Sequence, residues 1–326
     1  MKTYMKKERI VGIDILKVVA AIMIVALHYC GYSDNLMAAT AKSRELFYAA
    51  NLLEAFCICG VNVFVIITCY IGINSNKTEI KSGILKATSV WAQTILITVP
   101  LAVVLLGLGI VDIHFGALRC FLPFSARSYW FVSTFICFSM ILPLLNKSIQ
   151  FLDNRTLTYL TLFLVTTYSV LPTFFEIFDW TEVDRGYTLV WFVTLYYCTA
   201  WILKSQLYKK ISSRLSNCTY VACSLIVFAS VVIIEKILGE SENYIIRNYA
   251  SIPVLLQSFS LFFCFLSIRS NNKKPNKLFS VLAQGSLMNY IIHMHPESKM
   301  LYSDISIEQH YPKTMTTEKC DGLMGD

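Results

Sequence analysis

Long apolar blocks recur from near the amino terminus to about residue 293, each close to the length a helix needs to cross a bilayer. An apolar run of 18 or more residues with few charges satisfies its own backbone hydrogen bonds as a helix and spans the hydrocarbon core. Nine such blocks are read, at 11–31, 47–74, 83–111, 129–150, 157–178, 188–204, 217–238, 249–268 and 278–293. The last is short and interrupted by Gln284, Gly285, Ser286 and Asn289, and the third contains Pro100, where a break is possible. The predicted fold is all-α, a polytopic transmembrane helical bundle of about nine spans, filling residues 1–296. Residues 297–326 are polar, contain Pro312 and hold no apolar run, so they read as an irregular tail.

Composition agrees with a bilayer protein. Of 326 residues, 56% are hydrophobic and 15% charged, whereas soluble domains carry about 25% charged residues. The net charge of +7 does not indicate nucleic acid, because the basic residues sit in short clusters between apolar blocks. With the amino terminus in the cytoplasm, the connections on that side, including Lys77, Lys81 and Lys86, carry 17 Lys and Arg, and the opposite connections carry seven. That asymmetry predicts a multi-pass protein of the inner (plasma) membrane with a cytoplasmic amino terminus. Tyr129, Trp130, Phe131 and Trp191 fall where amphipathic rings suit the outer interface, and the acidic connection 179–187 reads as a solvated turn or an outer lip. Most of the eleven cysteines lie in or beside apolar blocks and read as small core residues. Cys57 and Cys59 point to different helix faces, which argues against a metal pair.

The first span carries three ionisable residues. On a helix Lys17 lies about 60° from Asp14 and His28 about 20° from Lys17, so all three share one stripe. Lys17 and His28 are ~16 Å apart along the axis. Charge inside a bilayer usually faces the bundle interior or a wet cavity. Asp14 and Lys17 fit either a functional stripe or a structural pair near the inner interface, with Lys17 reaching toward water. His28 is either a satisfied core histidine or a general base, the task for which an imidazole is best suited. Glu54 falls at a similar depth and is the candidate to orient or charge-stabilise His28; its alternative is an interfacial carboxylate facing water. His293 lies at the outer end of the ninth span, with His295 two residues on. No third ligand lies nearby in sequence, so no metal is expected. No phosphate-binding glycine loop, zinc-protease helix or serine-nucleophile elbow occurs. A membrane transferase and a transporter both remain compatible with these residues.

Four segments together resemble the acyltransferase family 3 membrane proteins. They are Gly12-Ile-Asp-Ile-Leu-Lys-Val-Val-Ala through His28, Val65-Ile-Ile-Thr-Cys-Tyr-Ile, Tyr129-Trp-Phe-Val-Ser-Thr-Phe-Ile through Asn146, and Gly285-Ser-Leu-Met-Asn-Tyr-Ile-Ile-His293. Three features depart from the family pattern. Lys17 stands where many members carry arginine, Thr68-Cys69 replaces Ser-Gly, and the usual tenth span has no counterpart in residues 297–326. The resemblance is greatest to the branch that O-acetylates surface polysaccharides. It implies an acyl-CoA donor, most simply acetyl-CoA, a hydroxyl of a surface or lipid-linked glycan as acceptor, and a lipid environment. It places catalysis on His28, Glu54 and His293 and donor binding on Lys17 and Asp14. A glycan or small-molecule transporter and an inactive, shortened relative are the alternatives.

Overall fold

A computed structural model describes residues 10–32, 43–108, 129–174, 184–238, 246–268 and 277–294. The polar tail 297–326, His295, and most of the connections 32–46 and 179–187 lie outside the described residues. Every long element described is a helix: α1 (Val11–Tyr32), α2 (Arg44–Cys57), α3 (Gly60–Ser75), α4 (Ile80–Gly107), α5 (Trp130–Phe151), α6 (Asn154–Phe174), α7 (Leu189–Lys204), α8 (Ser213–Leu238), α9 (Ile252–Leu266), α10 (Lys277–Gln284) and α11 (Ser286–His293). Among the described residues, six stretches are long and apolar enough to cross a membrane, with α2 and α3 counted together, and α7 and α9 are shorter apolar helices. The all-helical membrane bundle expected from the apolar blocks is therefore the observed architecture.

The differences from the expected spans are local. The second block is two helices meeting at Ile58 and Cys59, and the ninth is two eight-residue helices, α10 and α11, joined at Gly285. Pro100 does not break α4, which stays helical to Gly107. Membrane helices tolerate proline where neighbouring groups satisfy the freed carbonyl. A π-helical turn, Thr166–Val170, interrupts α6 instead. Lys86 is not in a connection. It lies six residues inside α4, so it belongs to the bundle and not to the cytoplasmic basic count. Trp191 does not face outward from the bundle: it is fully buried, and its indole N–H donates to Asn62 Oδ1 at 2.9 Å.

Helix α3 sits at the centre, against α1, α5, α7 and α9. Helix α1 packs on α2, α3 and α9, and against α10 and α11. Chain direction alternates. Gly12, at the start of α1, lies against the Phe265 carbonyl at the end of α9, while the ends of α1 and α11 meet.

Bilayer helices gain little from hydrophobic transfer between one another, so close van der Waals contact and interhelical hydrogen bonds hold them. At Gly83 a Cβ would stand 2.8 Å from the carbonyl oxygens of both Ser139 and Met140. Pro143, four residues after Ser139, supplies no N–H to that carbonyl, and the bare Cα of Gly83 lets α4 approach it. At the end of the bundle near Lys77, Asn146 Nδ2 donates to the carbonyls of Gly72 at 3.2 Å and Lys77 at 2.8 Å. Its Oδ1 accepts from Tyr196 Oη at 2.8 Å, so one amide joins α3, α5 and α7. Lys204 Nζ donates to the carbonyls of Ile149 and Leu152, at 2.7 and 2.8 Å, closing the carboxy end of α5. Asp153 caps α6 through the Thr156 N–H at 3.0 Å, and hydrogen bonds from Thr156 hold its carboxyl below the usual range.

Candidate functional site

The stripe on α1 survives as a continuous helical face. Asp14 is buried, and Lys17 and His28 are half-buried. Gly60 is what lets α3 come close behind this helix: a Cβ there would lie 3.2 Å from Met23 and Ile24 side-chain carbons and 3.3 Å from the Ala20 carbonyl oxygen. Helices α10 and α11, the second of which carries His293, also pack on α1.

At the end of the stripe, His28 Nδ1 lies 2.7 Å from His293 Nε2. The two rings are tilted by 39°, with centroids 4.9 Å apart. His293 is buried, and its Nδ1 lies 2.6 Å from the Asn289 backbone oxygen one turn earlier in α11. The ring of Tyr290 stands edge-on to His293 at 5.7 Å and tilted against His28 at 6.2 Å. Tyr290 in turn packs on Phe131 at 5.3 Å. Tyr290 of α11 thus lies against both imidazoles and is itself backed by Phe131 of α5.

Glu54 occupies the same end of the bundle but is engaged elsewhere. Its Oε2 accepts from Arg247 at 2.8 Å, and Arg247 also donates to Asn51 Oδ1 at 3.0 Å. The physical reason is charge: in a low-dielectric setting a carboxylate gains far more from a guanidinium than from a neutral imidazole. Glu54 and Arg247 still lie within electrostatic range of Cys30, two residues beyond His28. The expected partner of His28 was a carboxylate; the hydrogen-bonding partner in place is His293.

Asp14 and Lys17 lie toward the opposite end. Lys17 is within electrostatic range of Lys86 on α4, whose ammonium rests over the Phe135 ring, 5.2 Å from its centroid. Two amines inside one bundle are costly. Lys86 already falls within the third span as read from sequence, 83–111, and was hidden only by being counted with the connection before it.

Beyond the imidazoles, Trp130 packs on Tyr187 at 4.4 Å and on Tyr249 at 5.9 Å. The Tyr249 carbonyl accepts from Asn62 Nδ2 at 2.8 Å, tying this cluster to the buried Trp191. Gly186, at φ +94°, turns the chain beneath it where a Cβ would strike Tyr249. Among the described residues, no group of three or more His, Cys, Asp or Glu is gathered in a way that could hold a metal ion.

A helical bundle carrying ionisable residues through its interior, with paired imidazoles at one end and amines toward the other, defines a multi-pass membrane protein with a buried polar site. The profile of acyltransferase family 3, described as an acyltransferase domain, matches residues 10–301, and the chain belongs to that family. Comparison with curated proteins and with solved structures gives no match.

Proposed function

We propose that the protein is an integral membrane O-acyltransferase that moves an acyl group, most simply acetyl, from cytoplasmic acyl-CoA to a hydroxyl of a surface or lipid-linked glycan at the outer face. The observation that carries this reading is the contact between His28 and His293, residues 265 apart in sequence, at one end of an ionisable stripe in a chain of this family.

In this mechanism His28 accepts the proton of the acceptor hydroxyl as the oxygen attacks the thioester carbonyl. The new C–O bond forms, the C–S bond breaks, and the proton passes from the imidazolium to the departing thiolate. A two-step route, with the acyl group held briefly on the imidazole, uses the same residues. Lys17 and Lys86 supply positive charge for the phosphates of the donor, with Asp14 setting the field around Lys17. The extended pantetheine arm then carries the thioester along the α1 stripe toward His28. The pairing with Arg247 makes Glu54 part of the wall of the site, and any effect it has on His28 is through space.

Mass spectrometry of surface glycans from cells with and without the protein tests the reading. An acetyl increment that needs the protein supports it; identical glycans in both cells count against it.

The interrupted spans, at Ile58–Cys59 and Gly285, also suit a transporter, because broken helices line many transport sites. Flux of a glycan or small molecule through proteoliposomes without covalent change would favour that alternative.

A further inference from the structure

The hydrogen bonds around His293 determine which nitrogen of each ring holds its proton. His293 Nδ1 lies 2.6 Å from the Asn289 carbonyl oxygen. A carbonyl only accepts, so Nδ1 carries the hydrogen and donates it. In a neutral imidazole the other nitrogen then bears the lone pair. That nitrogen, Nε2, is the atom 2.7 Å from His28 Nδ1. A lone pair requires a donor, so His28 Nδ1 also carries its hydrogen. With both rings neutral, the lone pair of His28 is therefore on Nε2.

We propose that His293 is a positioning residue: it locks His28 in the Nδ1–H tautomer and so fixes Nε2 as the basic nitrogen. The assignment of Nε2 as the atom that receives the acceptor proton rests on the acyltransfer reading above, but the tautomer assignment does not. The order Asn289 carbonyl, His293, His28 has the form of a catalytic triad in which a neutral ring and a peptide oxygen replace the usual carboxylate. Each bond in such a chain polarises the next. When Nε2 takes a proton, the hydrogen bond from His28 Nδ1 to His293 becomes charge-assisted and strengthens. The proton does not leave through His293, whose Nδ1–H already faces a carbonyl, and so it remains on His28 until the leaving thiolate collects it. Tyr290, edge-on to one ring and tilted against the other, restrains both rings against rotation.

The test is nitrogen-15 solid-state NMR of the full-length protein, labelled on histidine and reconstituted in bilayers at neutral pH. Signals are assigned by their loss in His28→Ala and His293→Leu. Protonated Nδ1 and unprotonated Nε2 on both rings is the expected result. Protonated Nε2 on His28 overturns the proposal, whether or not the protein transfers acyl groups. Kinetics of wild type and two variants then separate positioning from packing. His293→Leu, which removes the Nε2 acceptor, should lower kcat by roughly 10–100-fold with the KM for acyl-CoA unchanged, less than the largest losses seen when a triad loses its tautomer. His293→Gln, whose amide oxygen can stand in for Nε2, should recover most of that loss. Equal kcat in the Leu and Gln variants would show that His293 only fills space, and that also overturns the proposal. A correct tautomer in a protein with no transfer activity would defeat the acyltransfer reading alone.

Discussion

His28 Nδ1 and His293 Nε2 stand 2.7 Å apart, so two imidazoles link the first and last described membrane segments where they pack together. Placing one of these rings requires the whole intervening bundle, because α1 and α11 touch each other only within it. The consequences extend to the ion pair, the lysines and the packing below the pair.

Arg247 and Glu54 are mostly buried, with side chains 10% and 21% exposed. Arg247→Ala leaves a carboxylate uncompensated and should cost about 3 kcal/mol. Glu54→Gln combined with Arg247→Met should regain most of that stability. Thermal midpoints in detergent measure both effects. If Glu54 serves the site only as wall, the double variant also keeps most of its transfer rate. A stable double variant with no turnover would return Glu54 to a direct role at His28.

Lys17 and Lys86 bring two amines together toward the cytoplasmic end assigned by the basic connections. Lys17→Gln and Lys86→Gln should each raise the KM for acyl-CoA about tenfold, the equivalent of ~1.4 kcal/mol of binding, with less effect on the KM for the acceptor. Initial-rate kinetics against each substrate decide the matter. An effect on the acceptor alone would place the donor elsewhere.

Asn146 joins three helices through one amide. Asn146→Leu keeps the volume but strands the buried Tyr196 hydroxyl and two carbonyls. The expected loss is about 1–3 kcal/mol, read as a lower unfolding midpoint by fluorescence-detected size exclusion. An unchanged midpoint would show that water replaces the amide at no cost.

The apolar blocks made the helices legible, since a run of twenty apolar residues has few alternatives in a bilayer. Less legible were the places where a span is made of two pieces. Gly285 ends α10 and starts α11 without changing the hydropathy of the block, and Ile58–Cys59 is apolar throughout. Pro100 was the more conspicuous signal and had no such effect, because a membrane helix can close around proline. His28 and His293 were each legible as histidines near the end of a span, but not as a pair. Hydropathy gives depth and not azimuth, and the rotation of α11 against α1 is set by packing. The ion pair of Glu54 was hidden for the same reason: its partner Arg247 lies 193 residues away in sequence.

Orientation in the membrane is a further prediction. With native cysteines replaced, a single cysteine at Asp184 should react with a membrane-impermeant maleimide in intact cells, whereas one at Ser205 should react only after the membrane is opened. The reverse pattern would place the imidazole pair on the cytoplasmic side and the proposed donor path on the wrong face.

Acyl transfer by purified protein in sealed proteoliposomes tests the central claim most directly, with radiolabelled acetyl-CoA on the cytoplasmic face and glycan acceptor on the other. The account predicts labelled acceptor with wild type and a loss of at least about 10²-fold in His28→Ala, the lower end of what a general base supplies, with the variant still folded by size exclusion. Wild-type rates of acceptor labelling in His28→Ala would contradict it.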